Sequence, residues 1–415
     1  MTVHSHLSSI ANDALVKLLK RAENAAAKPV GLRSITLRFS ESSFPAYFDI
    51  RLTKEGRSRC HGELELAKRA GAIDIEWDRR AGPGNQVEVI RLQNADLLAQ
   101  FLNVDPRWDI VAKAENALAD VVDRHPVIEG LFPIWRAGKR VCNTTASDFQ
   151  RWIDAARVVD RCRSAPATDV AVRRFSTQVL GNSKKVQGLT SLLNVMLLAE
   201  LDAPSREDVD ILNELGLVRN PSTVLVGGAA RVTTQKNRVL CIDEPYLGLP
   251  PDAIESIEYF SSCSNIMTVE NLETFHEAAK MAANRVDWVV LYTGGMPSPS
   301  WKKVFTTFIK ALPEASTIWH WGDIDAGGFR IADHIATCCK THGKALALHR
   351  MVVPSTIDFN AENAPRSLKP NELSSISKVC ESRGWMKEIQ ALALYPYAIE
   401  QEFLDVSFPD VDYTK

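Results

Sequence analysis

A chain of 415 residues, 45% hydrophobic and 24% charged, is long enough for two or three domains that each bury a core. Its net charge of −2 excludes a uniformly basic polyanion binder, and no apolar run approaches the ~18 residues that span a membrane. Eight cysteines without Cys-x-x-Cys spacing and nine dispersed histidines exclude a zinc module and a disulfide framework. Reduced thiols in a cytoplasm are the expectation, and the opening Met-Thr-Val-His-Ser-His lacks the charged-then-apolar pattern of a secretion signal.

In chain order, Leu7, Ile10, Ala14, Leu15, Leu18 and Leu19 fall at helical spacing, and Pro29-Val30-Gly31 ends that helix. Ser34–Phe39 and Tyr47–Leu52 read as strands, and His61–Arg69 as a helix. Ala72–Trp77 and Val87–Leu92 alternate apolar and polar residues around a basic, Gly-rich tip holding Arg79 and Arg80, which predicts a β-hairpin. A helix followed by such a hairpin is winged-helix-like, and its wing would reach phosphates with Arg79 and Arg80. The competing reading is a plain hairpin with a solvated turn.

Residues 108–200 are helical by periodicity, broken near Pro126, Pro133 and Pro166. Residues 136–185 carry eleven Lys/Arg against four Asp, whereas 200–300 carry fifteen Asp/Glu against seven Lys/Arg. Arg151, Arg157, Arg161 and Arg163, with Arg173, Arg174, Lys184 and Lys185, would line a phosphate-gripping surface; solvated helix faces are the alternative. Leu192–Leu201 reads as a buried helix, and Ser205 as the cap of a helix ending at Gly216. Val224–Val226 and Val239–Ile242 lead into an α/β region. The expected organisation is 1–107 α+β and winged-helix-like, 108–203 helical and basic, and 204–415 catalytic.

In that last part, strands and helices alternate at short intervals, which predicts a parallel sheet buried on both faces. An apolar strand from Asn265 ends on Glu270, followed by the helix-like Leu272–Ala283. Asp287–Tyr292 is a second apolar run, stopped by Gly294-Gly295, and Ala345–Val353 is the last. Between them, Ser316–Ile331 delivers Asp323 and Asp325 from a short β-rich run, and a Gly-Gly pair opens an amphipathic helix. Side chains two apart on a strand point the same way, so both carboxylates can converge on one hard cation. In parallel sheets the carboxyl ends of the strands form the ligand crevice, where Glu270, Asp323 and Asp325 all fall. One glutamate on an early strand and Asp-x-Asp on a later one is the acidic triad of the Toprim fold.

Tyr246-Leu247-Gly248-Leu249-Pro250, Val269-Glu270-Asn271-Leu272 and Trp321-Gly322-Asp323-Ile324-Asp325 with Gly328-Phe329 extend the pattern. Residues 240–335 thereby resemble the C-terminal domain of the Wadjet defence nuclease subunit family (JetD), itself similar to the topoisomerase VI A subunit. Ala326-Gly327 and His349-Arg350-Met351 depart from the family pattern. The resemblance implies a homodimer that cuts both strands of circular double-stranded DNA in plasmid or foreign-DNA defence. It also implies condensin-like partners (SMC, kleisin and accessory subunits) and no membrane.

Cleaving a phosphodiester calls for a cation, a nucleophile and protonation of the leaving oxygen. Asp323 and Asp325 are the expected Mg²⁺ or Mn²⁺ ligands, with Glu270 as a further ligand or a general acid/base. Gly327 and Gly328 would let backbone N–H groups approach a phosphate. Asp243 and Glu244 read as a turn, Trp319 and Trp321 as core, and His320 as a satisfied strand histidine. Thr293-Gly294-Gly295 is either a crevice floor or a tight turn. Two alternatives to the hydrolase stand: a topoisomerase-like strand transferase, for which Tyr47 is the one N-terminal tyrosine before 246, and a non-catalytic DNA-binding subunit.

Overall fold

The computed structural model describes residues 7–27, 34–82, 84–165, 168–220, 223–242, 244–260, 263–314, 316–353 and 365–410. The fold is mixed α/β, in two compact units: Met1–Ile153 with Ala199–Leu201, and Asp154–Leu198 with Asp202–Lys415.

In the first unit a helix, Ser9–Ala26, precedes the strand Thr36–Arg38, the helix Lys54–Arg69 and a hairpin of Ile73–Trp77 with Val87–Leu92. Val87–Leu92 lies centrally, antiparallel to both other strands. Ala14, Leu15 and Leu18 of the first helix close over Leu64, Ile90 and Leu98, as its spacing requires. Residues 47–52 form no strand. Pro45 presets the first turn of a short helix, Pro45–Phe48, and Tyr47 is enclosed with its hydroxyl accepting from Val87 N–H at 2.8 Å. The predicted ending of the first helix at Pro29-Val30-Gly31 lies outside the described residues.

The second unit is built on a six-stranded mixed sheet in the order Leu346–Leu348, Thr317–Trp321, Asn265–Val269, Trp288–Tyr292, Val224–Gly228, Leu247–Leu249. The first four strands are parallel; Val224–Gly228 runs antiparallel to both of its neighbours, so Leu247–Leu249 points the same way as the first four. Asn265–Val269 is buried throughout, as a strand covered on both faces must be. Alternation divides it: Ile266 packs with Val289, Phe305 and Ile331 on one face, and Met267 and Val269 with Phe275, Trp288 and Val290 on the other.

Three sequence readings need correction here. The sheet is not wholly parallel. Ala230–Thr234 and Ile254–Tyr259 are strands that pair with each other, and Val239–Cys241 joins them in a separate antiparallel sheet. Ser205 caps nothing: the helix Asp208–Glu214 starts after Glu207 without a side-chain cap. Two further helices, Pro370–Arg383 and Met386–Leu394, complete a small core around Ile324, Phe329, Ile376 and Ile399. Among the described residues no helix is long and apolar enough to cross a membrane.

Candidate active site

The parallel pairing of Asn265–Val269 with Thr317–Trp321 sets Val269 opposite Trp321, so the residues that follow both strands meet. Glu270 N–H donates to Trp321 O at 3.1 Å, and Asp323 N–H donates to Glu270 Oε2 at 3.2 Å. Gly322 makes this approach possible, since a Cβ there would stand 2.8 Å from both Glu270 Oε2 and His320 Nε2. The two aspartates lie beyond the strand end, not within it. Ile324 between them exchanges backbone hydrogen bonds with Ile399, at 2.8 and 3.2 Å, and is buried. Asp323 and Asp325 consequently line one cavity of about 240 Å³, together with Arg366, Glu400 and Phe403.

Asp325 also caps the helix Ala326–Lys340, its Oδ1 accepting from Gly328 N–H at 2.8 Å. This corrects the role expected of Gly328, whose N–H is already used. Its lack of a side chain serves packing, because a Cβ would fall 2.1 Å from Asp323 O. Gly327, with a Cβ position 3.1 Å from Asp325 Oδ1, sits against the same carboxylate.

The sequence reading missed the third wall. Gln401 binds three parts of the site: its N–H donates to Asp323 Oδ1 at 2.9 Å, its Nε2 to Trp321 O at 2.9 Å, and its Oε1 accepts from Asn271 N–H at 2.6 Å. Glu400 and Glu402 flank it, and one oxygen each of Asp323, Glu400 and Glu402 falls within 4.8 Å of the other two. The alternation Glu400-Gln401-Glu402 was the available signal, but it stands 75 or more residues from the aspartates in sequence.

Burial first, then the neighbouring Asp323 and Asp325 charges, push the Glu270 carboxyl well above its ordinary range. Asp323 is raised to about 7 by burial and by Asp325, Glu400 and Glu402, against the Gln401 N–H that lowers it. An all-oxygen set of converging acids, short of counter-charge, fits a hard divalent cation. Behind it His320 is fully buried and lowered to about 3 by desolvation, with Nδ1 at 2.9 Å from Thr268 Oγ1. Among the described residues its Nε2 has no hydrogen-bond partner, so the expected satisfied histidine is there only half satisfied.

The other expected residues lie elsewhere. Arg79 and Arg80 are exposed in the hairpin turn of the first unit. Arg157, Arg161 and Arg163 are exposed on the helix Phe149–Ser164, and Arg157 Nη1 stands 3.9 Å from the buried Asp154, which Lys185 also holds at 2.7 Å. Thr293-Gly294-Gly295 is a bend after the strand Trp288–Tyr292: Thr293 N–H donates to Val269 O at 2.9 Å, and both glycines have positive φ. Asp243 lies outside the described residues. Tyr47, enclosed with its hydroxyl 2.8 Å from His61 Nε2, offers no exposed nucleophile.

Residues 229–408 match a family model described as Wadjet protein JetD, C-terminal. Over this region the chain is similar to JetD. The Wadjet protein JetD of Bacillus cereus (strain Q1) is 23% identical over 244 residues, 56% of this chain and 56% of that protein. The chain therefore spans about half the length of the curated relative it matches. The JetD-matched region contains Glu270, Asp323, Asp325, Glu400 and Glu402.

Proposed function

We propose that this chain is the nuclease subunit of a Wadjet-type plasmid-defence system, a Toprim-class hydrolase that cuts double-stranded DNA with Mg²⁺ or Mn²⁺. The observation that carries the reading is the placing of Glu270 and Asp323 together beyond two adjacent parallel strands, with Asp323 N–H on Glu270 Oε2 and with Asp323 and Asp325 lining one cavity. Asp323 and Asp325 hold the metal, Glu270 ligates or moves a proton, and Glu400 and Glu402 add carboxylates on the open side. When bound, the cation supplies polarisation of the phosphate and activation of water. Gln401 fixes the orientation of Asp323 through one backbone donor, and Gly322 keeps Glu270 within reach of it. Hydrolysis is favoured over strand transfer because Tyr47 is enclosed and hydrogen-bonded.

Recognition follows shape and backbone, with no base-reading signature in the sequence. The condensin-like partners and a homodimer that cuts both strands belong to the same proposal. The test is cleavage of circular DNA with Mn²⁺, with Asp323→Ala and with excess chelator. Loss of cutting in both supports the reading; full activity in either removes it. Products free of attached protein, from wild type and Tyr47→Phe alike, separate hydrolysis from strand transfer.

A further inference from the structure

The cavity that holds both aspartates has a second side that the metal reading does not use. Among the described residues its lining includes one cation, Arg366, and one aromatic, Phe403. Their positions are tied to the acids through backbone. Ala398 N–H donates to Arg366 O and Leu368 N–H to Pro396 O, at 2.9 and 2.8 Å, while Ile399 is paired with Ile324 between the two aspartates. Phe403 ends the single turn Gln401–Phe403, whose first residue holds Asp323.

Arg366 is held end-on by Glu372, at 3.0 Å from Nη1 and 2.9 Å from Nη2. That pairing uses two of five guanidinium N–H groups and fixes the plane, leaving three donors. The Arg366 side chain is 53% exposed. Glu372 first, and then Asp325 and Glu400 of the same cavity, favour its charged form. Phe403, at 49% exposure, lines the same cavity as Glu400. A free phosphate would need the acids, their cation and Arg366, but gains nothing from a phenyl ring. A nucleotide uses all three, because every base has a face that stacks on an aromatic.

We propose that this cavity is the subsite for one unpaired nucleotide beside the scissile bond, with Arg366 on its phosphate and Phe403 against its base. This rests on the nuclease reading and adds a requirement to it: one nucleotide must leave the helical stack to be cut. Unstacking costs more in intact duplex than in strained or unpaired DNA. Sharply bent or single-stranded segments are therefore the favoured substrates of this site.

The experiment uses the full chain, Ca²⁺ in place of Mn²⁺ to hold the complex uncut, and a short single strand carrying 2-aminopurine. Wild type should quench the 2-aminopurine fluorescence, Phe403→Tyr should keep the quench, and Phe403→Ala should lose it with about tenfold weaker binding. Arg366→Gln should lower the salt slope of binding by about one unit, and Arg366→Lys should recover the slope. An unchanged quench in Phe403→Ala, no quench in wild type, or an unchanged slope in Arg366→Gln would overturn the subsite. Cleavage by wild type in Mn²⁺, measured in parallel, separates the two claims. Quench without cleavage sinks the nuclease and keeps the subsite, and wild-type cleavage by both variants with unaltered quench does the reverse.

Discussion

Two carboxylates in the C-terminal unit, Glu214 and Glu270, are both largely withdrawn from water and end with opposite electrostatic character. Burial raises each of them. For Glu214 this is outweighed by Arg206, whose guanidinium pairs with it, and by His334 and Lys302, so its carboxyl falls below the ordinary range. Arg206 is 3% exposed, and among the described residues its Nε and Nη1 have no acceptor, so Glu214 is the counter-charge seen there. Around Glu270 the neighbours are Asp323, Asp325 and Asp210, and its carboxyl rises. One glutamate is a structural anion that satisfies buried bases. The other is held against repulsion, as an acid waiting for a cation is.

The largest expected effect is on cleavage. Asp323→Ala or Asp325→Ala should abolish it while circular dichroism stays close to wild type, although Asp325→Ala also removes a helix cap and should cost about 1 kcal/mol of stability. Calorimetric titration with Mn²⁺ should show weakened binding in each. Unchanged Mn²⁺ affinity in both would move the metal away from these residues and end the contrast between the two glutamates.

Next comes stability, where the same substitution should have opposite signs. Glu214→Gln strips Arg206 of its counter-charge and should cost about 3 kcal/mol or more in denaturant unfolding. Glu270→Gln keeps an oxygen to accept the Asp323 N–H and removes a repulsive charge. Metal-free, it should be neutral or stabilising. Equal losses from both variants would show that Glu270 is also a paired structural acid.

Only the Glu270 side of this contrast was legible in the sequence, and the reason is locality. Glu270, Asp323 and Asp325 each follow an apolar run whose type and end the pattern specifies, and parallel strands put such ends on one edge. The helix Leu272–Ala283 was readable for the same reason, with Asn271 as its cap. What failed depended on distant partners. Tyr47–Leu52 has strand-forming residues, yet Pro45 and the bonds of Tyr47 to His61 and Val87 win locally. Glu400, Gln401 and Glu402 reach the site only because Ile399 pairs with Ile324, a register no periodicity reveals. Gly328 was read as a phosphate cradle because its close approach to Asp323 is tertiary.

A smaller effect is the pH dependence of the metal-free protein. Asp323 sits at about 7, above its ordinary value of 3.8, so the folded state holds that proton more tightly than the unfolded chain. Its contribution is most favourable below the ordinary value, declines as pH rises toward 7, and is level above. Asp323→Asn removes the decline. The variant should melt higher than wild type at about pH 8 and alike near pH 4. Mn²⁺ should raise the melting temperature of wild type at pH ~8 and leave the variant nearly unchanged. A variant that melts lower at high pH would mean that Asp323 is stabilised by its Gln401 bond more than it is strained by its neighbours.

The smallest effect tests whether charge outside the crevice brings DNA to it. The crevice is acidic and repels a polyanion until a cation is bound, so long-range attraction must come from elsewhere. Arg157, Arg161 and Arg163 are exposed, and Arg157 stands 3.9 Å from the buried carboxylate of Asp154. Lys185 is closer to Asp154, at 2.7 Å, which leaves Arg157 the weaker claim on that charge. Replacing all three arginines by glutamine should weaken binding to unrelated DNA sequences about equally. It should also flatten the salt dependence, by roughly one unit of slope for each phosphate that is no longer neutralised. Mn²⁺ affinity should be unchanged, because none of the three lines the cavity of Asp323 and Asp325. If affinity and slope stay at wild-type values, these arginines are a solvated helix face, and the hairpin residues Arg79 and Arg80 become the next substitutions to measure.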